Sequence, residues 1–179
     1  MSDTTRSTQV AELAARIKSV RFAMFTSVDQ HGHLTSQPMT NQELDADGAL
    51  WFYTSSATDL WANIGASPKV NLSFAEPADS LYVSISGTAE RVVDRDRIRA
   101  LWNPMVAAWF PHGVDDPNLV LVRVAARTVQ FWDSNDNKMT QVFEMAKAAI
   151  TGTRPDIEPG EHGKIALELV AAKAVAGVH

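Results

Sequence analysis

Hydrophobic positions along the chain change period several times, and each change predicts an element. Val10, Leu13, Ala14 and Ile17 recur at i, i+3, i+4 and i+7, which predicts an amphipathic helix ending near Ser19. From Arg21 to Val28 the period drops to two. Phe22, Met24, Thr26 and Val28 share one side and Ala23, Phe25 and Ser27 the other, as in a strand. Asp29-Gln30-His31-Gly32 carries turn chemistry, so His33 to Thr40 reads as the returning arm of a hairpin. Pro38 has no N–H to give to a ladder and belongs at an edge, a bulge or a ligand. A second turn, Asp45-Ala46-Asp47-Gly48, leads into Leu50–Ile64, LWFYTSSATDLWANI. There an aromatic strand breaks, without a glycine, into the hydroxyl run Thr54–Thr58. A short helix follows, with Leu60, Trp61 and Ile64 on one face.

Beyond Ser67-Pro68, which stops that helix, Lys69–Ala75 alternates with Val70, Leu72 and Phe74 on one face. Glu76-Pro77-Ala78-Asp79 turns the chain into a long strand from Leu81 to Val93, in which Gly87 marks a bulge or a sharp bend. Asp94 is placed to cap a helix running to about Trp102. Strands near Leu119–Ala125 and Thr128–Trp132 are expected to form the last hairpin, followed by a polar loop over Asp133–Asn137. Met139, Val142, Phe143, Ala146 and Ile150 then mark a helix stopped by Gly152. Arg154–Gly163 reads as a loop. Lys164–Val170 alternates like a strand but has helix-forming composition, which leaves both assignments open. The expected layout is one domain over 1–152 and an extension over 153–179, partly ordered and packing on the same domain. Strands in hairpin order with few intervening helices predict an antiparallel barrel, since a parallel doubly wound sheet needs a helix between most strands.

Composition narrows the chemistry. The chain has 179 residues, enough for one domain with a sizeable core, and 45% of them are hydrophobic. The net charge of −5 comes without a basic cluster, which argues against general binding to nucleic acid or anionic membranes. Absence of cysteine excludes disulfides, cysteine-ligated zinc and thiol catalysis. No Walker loop, dinucleotide fingerprint or Gly-x-Ser-x-Gly is present. No apolar run reaches membrane-span length and the first ten residues lack a hydrophobic signal core, so the expected location is cytoplasmic. His31, His33, Asp29, Asp45 and Asp47 fall in turns, where local backbone hydrogen bonding accounts for them without metal or catalysis.

The hydroxyl run is the most informative stretch, and it has two readings. Ser56-x-x-Asp59 fits a capping box, which requires no ligand. The same strand-to-helix junction, with unpaired N–H groups and a helix dipole, also suits an anion such as a phosphate.

Taken in order, FAMFTS, SQPMT, LWFYT, VNLSFAEPADSLYVSISGTAE and the run from LWNPMVAAWFP to VQFWD resemble the pyridoxamine-5′-phosphate-oxidase-like, flavin-binding split-barrel proteins, most of all the bacterial general stress protein subgroup. The resemblance spans about Val10 to Val170. It implies an α+β fold built on a six-stranded antiparallel Greek-key split barrel, and a homodimer with FMN (or FAD or a deazaflavin) in a cleft between subunits. By that resemblance, Met24, Phe25, Thr26, Gln37, Pro38 and Met39 would line the flavin ring, and Thr54, Ser55 and Thr58 would meet the phosphate. Trp132, with Trp109 or Phe110, would come from the partner subunit. The resemblance also implies cations where this chain has Gln37 and Leu60. Their loss removes charge-assisted contacts, for which Arg21, Lys69 and Arg123 are the available substitutes. Three functions follow: a flavin-dependent oxidoreductase with a stress role, a flavin or small-molecule binding dimer without turnover, and a cofactor-free structural dimer. Oxidation of pyridoxamine phosphate itself is disfavoured, because no basic cluster for a substrate phosphate is identifiable.

Overall fold

The long strand near the C-terminal end of the barrel pairs with three others, and this decides the architecture. The computed structural model describes residues 3–17, 19–133 and 161–166. Its elements are α1 (Asp3–Ile17), β1 (Phe22–Val28), β2 (Leu34–Leu44), β3 (Ala49–Ser55), α2 (Asp59–Ala66), β4 (Lys69–Glu76), β5 (Leu81–Val92), α3 (Arg95–Leu101), α4 (Pro104–Ala107), β6 (Leu119–Asp133) and β7 (Glu161–Ala166). The expected helix over Met139–Ile150 and everything after Ala166 lie outside the described residues.

All strand pairings are antiparallel, in the order β3-β2-β1-β4-β5-β6, and β3 then pairs with β6 to close a six-stranded barrel. Three consecutive strands with the fourth returning beside the first make a Greek key, as expected. One edge of β6 serves β3 from Leu119 to Ala125 and then β7 from Thr128 to Asp133, while its other edge serves β5.

This double use corrects two expectations. There is no hairpin between Leu119–Ala125 and Thr128–Trp132, because β6 runs through as one strand. Its register against β5 slips between Ser86 and Gly87, so Arg127 is an extra, bulged residue, and this slip breaks the alternation that looked like a turn. The residues from Glu161 to Gly163, expected in a loop, begin β7 and pair with Phe131–Asp133. The open edge of β6 beyond β3 supplies the ladder that composition did not reveal.

Burial explains which strands alternate and which do not. Ala23 and Phe25 of β1, Leu72 and Phe74 of β4 and Val83 and Ile85 of β5 fill the barrel, with polar or half-exposed residues between them. Phe25 meets Phe52 edge-on at 5.3 Å between ring centres, in the favourable T-shaped arrangement. In β3, by contrast, every residue from Ala49 to Thr54 is buried. Leu50 and Phe52 point into the barrel; Trp51 and Tyr53 join a second core with Ile98, Val106, Leu119 and Leu121. A strand covered on both faces reads as a continuous apolar run.

Gly87 is required by close approach. A Cβ there would lie 2.4 Å from the carbonyl oxygen of Ala125. Gly87→Ala is therefore expected to lower stability by about 1–3 kcal/mol, the usual cost of forcing extra atoms into a packed site, measured as a reduced midpoint in urea. An unchanged midpoint would show that the β5–β6 bulge yields easily.

Candidate functional site

The β3–α2 junction is organised by hydroxyl groups bonding to each other. Thr58, rather than Ser56, is the N-cap of α2, and its Oγ1 accepts from the Trp61 N–H at 3.3 Å. The same hydroxyl donates to the Ser55 carbonyl at 2.8 Å and lies 3.1 Å from Thr54 Oγ1. Ser55 Oγ accepts from the Ala57 N–H at 3.2 Å. Ser56, for which a capping role is the simpler sequence reading, bonds instead to Asn118 through both its N–H, to the carbonyl, and its hydroxyl, to Oδ1. Helix α2 is tied down from below, since buried Asn63 donates to Ser27 Oγ and Thr35 Oγ1, both at 3.2 Å. Among the described residues the first-turn N–H groups of Asp59 and Leu60 have no acceptor, which leaves donors at the positive end of the helix.

That junction forms one wall of a cavity of about 580 Å³. A second wall is the free half of β2. Asn41 donates to Arg21 O and Asp29 to His33 O, so by alternation Pro38 sits opposite Met24 with its nitrogen turned away from β1. Pairing of β2 with β3 begins only at Asn41, so Pro38 forfeits no ladder bond and faces the cavity. The third wall is α4 and the residues after it: Met105, Val106, Trp109 and Phe110.

A latch holds this third wall. The β2–β3 register shifts between Asn41 and Glu43, leaving Gln42 as the bulged residue. Gln42 Oε1 accepts from Asn103 Nδ2 at 2.9 Å, while Asn103 Oδ1 caps α4 by accepting from the N–H groups of Met105 and Val106. One residue along, Glu43 pairs with Arg97 at 2.6 Å, and the Arg97 guanidinium lies 4.4 Å over the Trp51 ring.

Of the sequence candidates, Gln37, Pro38, Met39, Thr54, Ser55 and Thr58 line this one cavity. Met24, Phe25, Thr26 and Trp132 do not. Phe25 is fully buried and its ring fills the barrel, so only its backbone is available to a ligand. Met24 faces outward, Thr26 lines a different cavity and bonds Ser36, and Trp132 stands opposite Tyr82 on the outer face of the sheet. Trp109 and Phe110, expected from a partner subunit, lie in the wall of their own subunit. Sequence reasoning missed Phe22, Gln42, Tyr53 and Met105. Asn103-Pro104, a helix-start signal just before Met105, is the clue that would have found the third wall.

The electrostatics of the cavity are nearly neutral. Arg21, Lys69 and Arg123 do not line it, and Arg123 is paired with Glu90 at 3.0 Å. Leu60 is 2% exposed and packs in the barrel core, so the position expected to hold a cation is not directed at the cavity at all. Among the described residues Tyr53 is the one ionisable side chain on the lining; burial pushes its hydroxyl up to about 12, and it donates to the Ile98 carbonyl. Elsewhere, turn aspartates do what their position suggested. Asp29 Oδ1 accepts from the N–H groups of His31 and His33, and bonds from these backbones hold its carboxyl below the usual range. Asp45 accepts from Asp47, Ala49 and the Trp51 indole. Among the described residues no group of three or more metal-ligating side chains occurs, and no helix is long and apolar enough to cross a membrane.

The sequence profile of the pyridoxamine 5′-phosphate oxidase-like family matches residues 8–156. This chain belongs to that family. The pyridoxamine 5′-phosphate oxidase-like chain is also similar to individual proteins. It is 29% identical to protein bli-3 of Neurospora crassa over 154 residues, 80% of this chain and 74% of that one. A Jannaschia sp. CCS1 structure assigned to general stress protein 26 superposes with a TM-score of 0.67 at 28% identity, covering 89% of this chain and 98% of its own. The general stress FMN/FAD binding protein of Xanthomonas citri gives 0.61 at 35% identity, covering 72% and 89%.

Two measurements check this account of the site. Leu60→Lys is expected to destabilise the fold by about 2–5 kcal/mol, through lost burial and a desolvated ammonium; a stable variant would place that side chain at the surface. Tyr53 gives a pH signature. Its folded value is raised from 10.0 to about 12, so its contribution is intact below pH 10 and is lost as pH rises through about 12. Tyr53→Phe is expected to remove that part of the alkaline loss, followed by thermal midpoint against pH.

Proposed function

We propose that this protein binds a flavin, FMN first and FAD or a deazaflavin as alternatives, in the cavity between β2, the β3–α2 junction and α4. One observation carries the reading: a single cavity of about 580 Å³ joins an apolar, aromatic wall to a hydroxyl-lined helix start. Its size is ordinary for a small-molecule site. Trp109 and Phe110 suit a planar ring system, and Thr54, Ser55, Thr58 and the free N–H groups of α2 suit a polar tail. The flavin named for the Xanthomonas citri relative supports the same class of ligand.

A bound flavin supplies hydride or electron transfer. The chain's own residues bind, orient and exclude water. Tyr53, the one ionisable lining group among the described residues, stays protonated at neutral pH and holds the α3 carbonyl. This favours a second reading in which the flavin is bound without turnover, the protein acting as a binder with a stress role. Oxidoreductase activity would be seen as flavin reduction by a nicotinamide donor, and no turnover across a donor panel would decide for the binder.

The working unit in this reading is a homodimer. Phe22, Met24, Tyr82 and Trp132 are large apolar side chains exposed on outward positions of β1, β5 and β6. A second copy covering them would bring the partner subunit's Trp132 toward the cavity. A monomeric mass in solution would overturn this arrangement.

The deciding experiment is a spectrum. Protein soaked in FMN and desalted is expected to retain flavin absorbance, and Trp109→Ala to weaken binding about tenfold through lost stacking. A colourless protein without measurable affinity would sink the proposal. Because the described lining holds no cation, riboflavin and FMN are expected to bind within about tenfold of each other. A much larger preference for FMN would reveal a cation supplied by the partner or by residues outside those described.

A further inference from the structure

A second cavity, about 800 Å³, opens on the outer face of the sheet and shares no lining residue with the first. It is walled by outward positions of β1, β4, β5 and β6, with Leu34 at the start of β2. Among the described residues two of its lining side chains are cations, Lys69 and Arg127, and none is a carboxylate.

Arg127 is there because of the β5–β6 bulge. Ser86 stands opposite Thr128 and Gly87 opposite Ala126, which leaves Arg127 as the inserted residue. Such an insertion re-aims a side chain. Gly87 permits it, since any Cβ would run into the Ala125 carbonyl. Lys69 enters from β4, at the first register position against β5.

Among the described residues these cations differ from four of the arginines. Arg16, Arg97, Arg99 and Arg123 each hold a carboxylate, whereas among the described residues neither Lys69 nor Arg127 has an ion-pair partner. Like charges gathered on one concave wall repel, and an anion relieves them. Hydroxyls of Ser86, Thr88 and Thr128 line the same cavity, while that of Thr26 donates to Ser36 Oγ at 3.1 Å. Beside them lie Val28 and the side chain of Leu34, which is 74% exposed.

We propose that this cavity binds a phosphate-bearing small molecule, its oxyanion held by Lys69 and Arg127 and any apolar body resting on Val28 and Leu34. Arginine offers a phosphate paired donors in a rigid fork, and lysine adds a compact charge. The site is separate from the flavin cavity and stands or falls without it.

Phenyl phosphate and inorganic phosphate are the probes, titrated into the full-length protein by calorimetry and followed by amide shifts of Gly87, Thr88 and Thr128. Saturable binding of phenyl phosphate is expected, weakened roughly tenfold by either Lys69→Ala or Arg127→Ala. Both side chains are exposed, so the fold should survive either change. Arg21→Ala, which removes an exposed cation outside the cavity, should leave the affinity unchanged. An organic ester as occupant predicts tighter binding of phenyl than inorganic phosphate, a difference removed by Leu34→Ser; equal affinities would assign the site to the free anion. Absence of saturable binding or of amide shifts at millimolar probe, or equal weakening by Arg21→Ala, would overturn the proposal.

Discussion

The ladder between β3 and β6 is the constraint on which the rest of the molecule depends. Without it the sheet would be an open strip from β3 to β6, with its largest apolar side chains exposed on one face. Closing that strip sets Ser55 beside Leu119, which brings the hydroxyl loop against the chain entering β6 and allows Ser56 to bond Asn118. It also determines where the connection from β5 to β6 can lie. That connection carries α3 and α4 and settles on the outer face of β3, covering Trp51 and Tyr53. The first cavity is the space left between this cover and the free half of β2.

Covering both faces of a strand is stabilising only if the polar tips of its aromatic residues find partners. Here each does. The Trp51 indole donates to Asp45, its ring lies under Arg97, and the Tyr53 hydroxyl donates to Ile98. Arg97 in turn pairs with Glu43, next to the bulged Gln42 that holds Asn103. The cavity wall is thus anchored to the barrel through side chains on consecutive β2 residues. Met105 and Trp109 are exposed on that wall, yet the backbone that carries them is fixed.

The two cavities of this pyridoxamine 5′-phosphate oxidase-like chain differ in physical character. One is neutral and aromatic, with the hydroxyls of Thr54, Ser55 and Thr58 on its polar side; the other is basic, lined by hydroxyls and by Val28, Leu34 and Val70. A neutral site selects by shape and stacking, a basic one by charge, so the same ligand would not suit both. The loss of the expected cation at Leu60 follows the same logic. Its side chain adds to the barrel core, and at the junction Thr54, Ser55 and Thr58 bond to one another.

Local pattern alone determined a good deal. The alternation of β1, β4 and β5, the turn at Asp29, the cap at Asp94 and the irregularity at Gly87 were all legible, because each depends on residues a few positions apart, and the hairpin order of the strands pointed to an antiparallel barrel. The hydroxyl run was legible as a break between strand and helix, and Pro38 as a position off the ladder, for the same reason. Only the tertiary structure decided the continuity of β6, the choice of Thr58 as the cap, the inward turn of Leu60 and the seating of Trp109 in its own subunit's wall. Each of these is settled by a partner far away in sequence: β3 and β7 for β6, Asn118 for Ser56, the barrel core for Leu60, Gln42 for the segment that carries Trp109. Period and composition report the face a residue prefers, and long-range pairing determines what that face meets.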